Sequence, residues 1–521
     1  MLTQKPSTIA YGGSALAAYA GRFREYNVVL RSSGYPRVAL VYPSTYQASI
    51  TNLFTHTAYY FLVERSDALV DRFTLDNPMR GALTGRKLKD FDLLLISANY
   101  ELDIVYAVKL LSEAQLTPSA EGRSMRPVIV VGGLAAMSNP EPFLEIADGV
   151  FIGDGEILLQ KVARYMSLLP DKPVDFLDSV GDGMYTGKSV VRKVYVENLD
   201  GSMHPTAEIR SKITEPVYGE GYYLEISRGC RWLCKFCLEG YSMYPYRFRS
   251  LTTVKRLVEE GLKYVPKRRV IIYSLSPFDH PGLRDLLASL SSSGIDFSLP
   301  SIRWDTLRVE DLDLIATSTQ KTLTLAPETA SPILSCSIGK CFDAERFSEL
   351  AISALERGFD LKLYMMVGLP DEKDEDLLVS INTTKSLASH ARKLGRKISL
   401  SLNPLVPKPH TPLQDHPMLE EEEYLRRAKL FERELGKGVV SYLSWFHAYL
   451  QALIALGDRK VGKLAVYLGT SGISRRNLID FASRLGVDLA FPMGRRSKND
   501  RPWQKVIFPL DHIIDKTTQI A

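Results

Sequence analysis

Residues 225–240 read Glu-Ile-Ser-Arg-Gly-Cys-Arg-Trp-Leu-Cys-Lys-Phe-Cys-Leu-Glu-Gly. This segment places Cys230, Cys234 and Cys237 at CxxxCxxC spacing, with the aromatic Phe236 directly before the third cysteine. Three thiolates on one tight loop can hold three irons of a 4Fe–4S cluster, since soft ligands at short, uneven spacing favour iron–sulfur chemistry. The fourth iron then has no protein ligand and can chelate the amino and carboxylate groups of S-adenosylmethionine (SAM).

Two other interpretations of the cysteines are weaker. A structural zinc site needs four ligands, usually supplied as two cysteine pairs, and no second pair follows at the required spacing. A disulfide framework is improbable because the 521 residues contain only five cysteines. Cys336 and Cys341 lie far downstream, and we expect them to be buried or loop thiols rather than ligands of a second cluster.

The composition is that of a globular protein with an ample core: 45% of the residues are hydrophobic and 24% are charged. The net charge of +5, from 65 basic and 60 acidic residues, is too small to indicate nucleic-acid binding. No stretch approaches the roughly 18 apolar residues of a membrane span. Oxygen-sensitive thiolates indicate a reducing compartment, and we therefore expect a cytoplasmic location.

The first part of the chain alternates strands with helical stretches. Continuous apolar runs followed by proline, glycine or small polar residues are typical of buried parallel strands, and this pattern predicts a doubly wound sheet. The predicted strands are Val38–Tyr42, Leu93–Ser97, Val128–Val131 and Gly149–Ile152. Ligands of such sheets bind at the carboxyl ends of the strands, where the glycines of this region lie.

A second alternating series begins at Gly219, and the cysteine segment follows its first strand. Six strands separated by helical stretches predict a partial (β/α)6 barrel, whose active site would lie at the carboxyl ends of its strands. The predicted strands are Tyr222–Ser227, Val270–Ser274, Asp296–Arg303, Thr322–Ala326, Leu361–Val367 and Ile398–Asn403.

The cysteine motif and the barrel pattern resemble those of the radical SAM enzymes, in which an electron from the cluster cleaves SAM to a 5′-deoxyadenosyl radical. The preceding sheet is similar to the cobalamin-binding half of the cobalamin-dependent members. The motifs that carry this second resemblance are Asn99-Tyr100-Glu101, Gly132-Gly133-Leu134, Asn139-Pro140-Glu141-Pro142 and Gly153-Asp154-Gly155-Glu156. The resemblance extends over about residues 37–515.

The resemblance implies a domain order and a set of cofactors. The expected parts are an N-terminal arm (1–36), a cobalamin-binding-like Rossmann domain (37–165), a bridge (166–218), the barrel (219–415) and a helical C-terminal region (416–521). The implied cofactors are a 4Fe–4S cluster, SAM and cobalamin. The implied partner is a low-potential electron donor such as ferredoxin or flavodoxin.

Five residues at the barrel strand ends are candidates for SAM binding. Ser274 and Ser276 stand where most of the superfamily has Gly-Gly-Glu, and Ser276 is either a contact for the amino group or a plain turn serine. Arg303 either binds the SAM carboxylate or the substrate, or forms a salt bridge with a nearby acid. Glu328 is a candidate for the ribose hydroxyls, while Gly368 either lets the backbone approach the adenine or forms a turn.

The cobalamin candidates lie at the strand ends of the first sheet. They are Ser97, Gly132, Gly133, Gly153, Gly155 and Glu156. The alternative is a sheet that serves only as a scaffold. The usual Asp-x-His-x-x-Gly motif is absent, and His56 lies in a different frame, so cobalamin would bind without a histidine ligand from that motif.

The proline-rich segment 404–412 would form a rigid lip at the barrel rim. Its His410 is either an acid/base group or, as is more common for a lone loop histidine, a structural residue.

The leading hypothesis is an enzyme that uses cobalamin to methylate an unactivated carbon after SAM cleavage. A neighbouring hypothesis is radical carbon–carbon bond or ring formation without methyl transfer, for example on archaeal membrane lipids. A third is a non-catalytic cobalamin or iron–sulfur carrier. Relatives that insert sulfur carry a second cluster on an N-terminal domain. No cysteine precedes Cys230 in this chain, so we do not expect it to insert sulfur by that route.

Overall fold

The computed structural model describes residues 22–29, 31, 33–123, 126–169 and 173–517. Most of the expected N-terminal arm, residues 1–21 with 30 and 32, lies outside the described residues. The part of the arm that is described packs against the protein, because its strand β1 (Glu25–Tyr26) pairs antiparallel with β9 (Arg210–Ser211).

The remaining strands are β2 (Arg37–Tyr42), β3 (Leu69–Thr74), β4 (Leu93–Ser97), β5 (Val128–Gly132), β6 (Gly149–Phe151), β7 (Met184–Tyr185), β8 (Val191–Arg192), β10 (Tyr222–Glu225), β11 (Ser227–Arg228), β12 (Arg247–Phe248), β13 (Arg269–Tyr273), β14 (Asp296–Ser298), β15 (Thr322–Glu328), β16 (Asp360–Val367), β17 (Ile398–Pro404), β18 (Val440–Tyr442) and β19 (Val506–Ile507).

The α-helices are α1 (Tyr46–Ser49), α2 (Leu53–Arg65), α3 (Asp103–Glu113), α4 (Leu134–Ser138), α5 (Gly155–Tyr165), α6 (Pro173–Val180), α7 (Leu238–Ser242), α8 (Leu251–Gly261), α9 (Leu283–Ser292), α10 (Val309–Ala316), α11 (Pro332–Ser337), α12 (Ala344–Glu356), α13 (Asp374–Lys393), α14 (Glu421–Leu435), α15 (Trp445–Leu456), α16 (Arg459–Ser471), α17 (Arg475–Leu485) and α18 (Asp511–Thr517). Within the described ranges, none of these helices combines the length and apolar character needed to cross a bilayer.

The first sheet has the order β3-β2-β4-β5-β6-β7, and its strands are parallel except for β7. The four predicted strands are confirmed, but β3 was not predicted. Its sequence, Leu-Val-Asp-Arg-Phe-Thr, carries two charged residues, yet all six positions are buried. Asp71 accepts hydrogen bonds from the backbone of Leu83 and Thr84, and Arg72 forms an ion pair with Glu25. A buried strand can hold charges when each one is paired, and the local sequence does not show that pairing.

The strand order reverses at β2, which has β3 on one side and β4 on the other. Such a switch point opens a crevice at the carboxyl ends of the strands, where ligands of doubly wound sheets bind.

The second sheet is a partial barrel in two parts. Strands β10, β13 and β14 form one part and β15 to β18 the other, all parallel, with a bridge between Ile302 and Leu325 joining them. The six predicted barrel strands are present, but the third ends at Ser298 instead of Arg303, which lies in the following loop. A seventh, β18, lies in the region predicted to be helical and extends the barrel beside β17.

The C-terminal helices pack against the helical layer on one face of the first sheet, where α16 contacts α3. Asn139 donates hydrogen bonds to the carbonyls of Ala455 (3.0 Å) and Gly457 (2.7 Å) at the end of α15. Gly462 in α16 lies so close to the backbone of Pro142 that a Cβ would come within 2.4 Å of its carbonyl oxygen. The tail therefore helps to hold the sheet in place.

Candidate active site

The cysteine loop begins with a backbone turn that requires glycine. Gly229 has φ +80°, and a Cβ there would lie 2.6 Å from the carbonyl oxygen of Met243 and 2.7 Å from that of Pro245. The preceding strand β11 pairs antiparallel with β12. Gly229 thus lets the chain leave the barrel strand sharply and present the three cysteines at the barrel mouth.

Contacts on both sides hold the loop. The backbone N–H of Lys235 donates to Ile338 (2.9 Å), and the carbonyl of Lys235 accepts from Leu413 (3.2 Å). Phe236 packs against the apolar cluster of Leu334, Ile338 and Leu369. The aromatic between the cysteines therefore anchors the loop to the strand ends of the barrel.

Arg303 lies under the loop. Its guanidinium forms an ion pair with Asp305 (2.7 Å), donates to the Sγ of Cys234 (3.1 Å) and stacks on the ring of Trp232. The salt bridge with Asp305 is one of the two alternatives for Arg303, and the contact with a cysteine sulfur was not predicted. A cation at this distance stabilises a thiolate.

The three thiols are free. Burial, and then the neighbouring Glu239, raise the pKa of the Cys237 thiol to about 12, so a metal must displace a proton when it binds there. In the described part of the chain no three His, Cys, Asp or Glu side chains converge on one point as the ligands of a single ion do. A 4Fe–4S cluster does not require such convergence, because each of its thiolates binds a different iron.

The expectation that Cys336 and Cys341 are free thiols is wrong. They form a disulfide instead of remaining free thiols. The bond closes a short loop that begins in the last turn of α11, and this loop contains Ile338, whose carbonyl accepts the hydrogen bond from Lys235. Neither sulfur belongs to the cysteine loop, so the structure provides no pair for a second cluster here.

Replacing both Cys336 and Cys341 with serine should leave the full iron content of one cluster. It should also lower the free energy of unfolding by on the order of 2 kcal/mol, the loop-entropy value for so short a closed loop. Iron analysis and denaturant unfolding test the two parts. Loss of several irons would show that these cysteines bind metal.

A cavity of about 820 Å³ lies between the first sheet and the barrel. It falls within the range of about 300–1,000 Å³ that is typical of ligand sites. The carboxyl ends of β2, β4 and β5 line it on one side, and residues that flank the cysteine loop line it on the other. The latter are Ser227, Arg228, Gly229, Glu239 and Met243.

The cobalamin candidates all line this cavity, but they differ in what surrounds them. A Cβ at Gly132 would meet nothing within 4 Å, so this strand end faces open space. At Gly133 it would lie 2.5 Å from the carbonyl oxygen of Ala98, at Gly153 2.3 Å from that of Val194, and at Gly155 2.1 Å from the ring of Phe54. These three glycines are required for close packing within the protein.

Glu156 and its neighbour Asp154 take part in a buried charge cluster. Arg228 contacts Glu156 (2.7 Å), Asp154 (3.2 Å) and Glu225 (2.8 Å). Arg247 also pairs with Asp154, and Arg249 with Glu225. Burial opposes ionisation of Glu225, but Arg228 and Arg249 outweigh it and lower its pKa to about 2. Through these ion pairs, Asp154 and Glu156 at the end of the first sheet are joined to Arg228, which lies two residues before Cys230.

The SAM candidates do not come together in the same cavity. Ser274 lines it and its hydroxyl bonds to that of Ser227 (2.7 Å). Ser276 is 1% exposed, and its hydroxyl has no hydrogen-bond partner among the described residues. A buried hydroxyl without a partner fits a ligand atom.

Two further SAM candidates have protein partners. Glu328 forms an ion pair with Lys340 (2.8 Å). Gly368 has φ +86° and donates its N–H to Glu372. It therefore forms a turn, which is the second of its two expected roles. Their roles in SAM binding stay predictions, as does that of Arg303.

Three histidines near the site, His56, His204 and His410, have structural partners. His56 does not line the cavity; its Nε2 donates to Ile50 and its Nδ1 accepts from Ile209, and burial lowers its pKa to about 3. His204 is the only histidine among the described lining residues, and its Nε2 accepts the N–H of Glu225. His410 lies within hydrogen-bond distance of Asp511 (2.8 Å) and of the Ser138 carbonyl (3.0 Å), and so joins the barrel rim to α4.

Two residues inside the quoted segment were missed as site residues. Arg228 organises the charge cluster, and Glu239 lines the cavity directly after the cysteines. The Glu239 side chain is accessible from the cavity. The surrounding cavity walls partly desolvate its carboxylate, and this desolvation raises its pKa. Their charges, directly beside the cysteine motif, are the feature of the sequence that could have identified Arg228 and Glu239 as site residues.

Comparisons with known proteins agree with this geometry. Residues 56–175 match the family model described as radical SAM proteins, N-terminal, and residues 224–383 match the model of the radical SAM superfamily. The uncharacterized protein MJ0966 of Methanocaldococcus jannaschii is 31% identical over 444 residues, which are 82% of this chain and 90% of that relative.

Two solved structures of the radical SAM methyltransferase TsrM from Kitasatospora setae share the fold. The structure with cobalamin and a 4Fe–4S cluster bound is 15% identical with a TM-score of 0.50, and covers 73% of this chain and 74% of that chain. The structure with tryptophan substrate and the SAM analogue aza-SAM bound is 14% identical with a TM-score of 0.53, and covers 87% and 98% respectively.

Proposed function

The chain belongs to the radical SAM superfamily, whose enzymes use a 4Fe–4S cluster and SAM, and on this premise we propose that it methylates an unactivated carbon with the help of cobalamin. The observation that carries the proposal is the shared cavity, which is lined by the strand ends of the first sheet and by the residues that flank the cysteine loop. In that position a corrin on the sheet would lie beside the cluster.

The cluster would supply the electron that cleaves SAM, and cobalamin would supply a methyl group. Cys230, Cys234 and Cys237 would hold the cluster, and Ser276, whose buried hydroxyl has no partner among the described residues, would contact a polar atom of SAM. Gly132 leaves room for a flat ligand at the sheet edge. No free imidazole lines the described cavity wall, so the cobalt would have no histidine ligand from it.

The enzyme needs a reductant, and we propose a small low-potential donor such as ferredoxin or flavodoxin. The three free thiols of the motif suit a reducing cytoplasm, where the Cys336–Cys341 disulfide would be open to reduction.

The test uses anaerobic, reconstituted protein with SAM that carries a deuterated methyl group and an extract of a deletion strain as the substrate source. Reductive SAM cleavage is expected, together with a product that gains the labelled methyl mass. A coupled or cyclised product without label would instead indicate carbon–carbon bond formation without methyl transfer. Absence of SAM cleavage would leave only a carrier role.

Replacing Gly132 with leucine should weaken hydroxocobalamin binding by roughly tenfold or more, equivalent to ~1.4 kcal/mol. A Cβ at Gly132 meets nothing within 4 Å, so the new side chain starts in open space and the fold should be kept. Gly438→Leu is the matched control, because a Cβ there also meets nothing within 4 Å and lies outside the cavity. Gel filtration with absorbance measures retention, and equal retention by both variants would contradict a corrin at this sheet edge.

A further inference from the structure

Six charged side chains line the large cavity among the residues that the structure describes. They are Arg72, Asp154, Glu156, Glu225, Arg228 and Glu239. The first five form ion pairs: Arg72 with Glu25, and the others within the charge cluster around Arg228. Glu239 stands apart, since the described chain supplies its carboxylate with neither an ion pair nor a hydrogen-bond donor.

Glu239 lies where the sheet side of the cavity meets the side formed by the residues that flank the cysteine loop. It lies in the first turn of α7, whose N-cap is Cys237. Helix α7 contacts α4, which directly follows Gly132 and Gly133 on the first sheet. A ligand that spans the space between the sheet edge and the cysteine loop therefore passes Glu239.

The chemistry of the group restricts what it can bind. An ionised carboxylate only accepts hydrogen bonds, and the Glu239 side chain is open to the cavity, where a bound ligand can reach it. The fitting ligand group therefore carries N–H donors or a positive charge. Both cofactors of the proposed function offer such groups: SAM has an ammonium and an adenine amine, and cobalamin has amide side chains.

We propose that Glu239 is a cofactor-binding residue that accepts hydrogen bonds from the N–H groups of a cofactor bound in the large cavity. The inference rests on the proposed function, because it takes SAM and cobalamin as the two sources of these groups. It assigns a binding role to a residue of the cysteine segment that is not a cluster ligand.

The test compares the full-length wild-type protein with Glu239→Gln, which keeps the size of the side chain and removes its charge. Glu422→Gln is the matched control, because this glutamate is exposed on α14 and lies outside the cavity. Iron content, circular dichroism and gel filtration establish that each variant is folded and loaded. Equilibrium dialysis then gives the Kd of SAM and, separately, the Kd of hydroxocobalamin.

Loss of a hydrogen bond to a charged group should weaken binding by roughly 10- to 100-fold in Glu239→Gln, with no change in Glu422→Gln. A change in the SAM arm identifies SAM as the donor, and a change in the cobalamin arm identifies the corrin amides. Glu239→Asp, which keeps the charge, should recover part of the lost affinity. It also serves as the second variant if Glu239→Gln does not load iron.

Wild-type values in both arms for Glu239→Gln would overturn the inference. Failure of the wild-type protein itself to retain hydroxocobalamin would instead count against the proposed cobalamin step. In that case the SAM arm alone decides the role of Glu239, so the two failures are distinguishable.

Discussion

Cys234→Ala should abolish both the brown iron–sulfur chromophore and reductive SAM cleavage, or leave an unstable remnant of the cluster. Cys234 is the middle cysteine of the motif and 7% exposed, and Arg303 donates to its sulfur. Two remaining thiolates cannot retain the cubane, because two of its irons would then lack protein ligands. Iron and sulfide analysis, absorbance and 5′-deoxyadenosine production measure the effect.

The matched control for this variant is the double serine variant of Cys336 and Cys341, which removes two sulfurs near the loop without touching the motif. It should keep the iron content and the SAM cleavage of the wild type. A Cys234→Ala protein that keeps a full cluster and cleaves SAM would show that the assignment of this loop is wrong.

Arg228→Met should lower the free energy of unfolding by about 3–5 kcal/mol, the usual cost of breaking a buried ion pair from one side. Arg228 contacts three carboxylates, and its side chain is 13% exposed. After its removal Asp154 keeps Arg247 and Glu225 keeps Arg249. Glu156 loses its ion-pair partner and, among the described residues, keeps the hydroxyl of Ser202 alone. Arg228→Lys should recover little, because an ammonium cannot replace the planar fork.

Chemical denaturation of the apoprotein measures this effect. Arg256→Met is the control: Arg256 pairs with Glu260 on the surface of α8, with 52% of its side chain exposed, and such pairs contribute about 0–1 kcal/mol. If Arg228→Met were as stable as Arg256→Met, the charge cluster would not hold the sheet to the cysteine loop.

The features that could be predicted from sequence are local ones. The spacing of Cys230, Cys234 and Cys237 lies within one loop, and each predicted strand is a contiguous apolar run. Backbone hydrogen bonding and burial act over such short segments, so residue order is enough to recognise them. Strand β3 escaped prediction because its Asp71 and Arg72 are paired by residues distant in sequence.

The sequence alone determined the superfamily, the alternation of strands and helices, and the loop that carries the cysteines. Only the tertiary structure decided that Arg228 joins Glu156 across 72 positions, that the C-terminal helices pack on the helices of the first sheet, that Cys336 bonds to Cys341, and that Glu239 has no partner among the described residues around the cavity. The physical reason is that ion pairs, close packing and cavities depend on distances in space. Those distances are set by how the sheet, the barrel and the tail fold against one another.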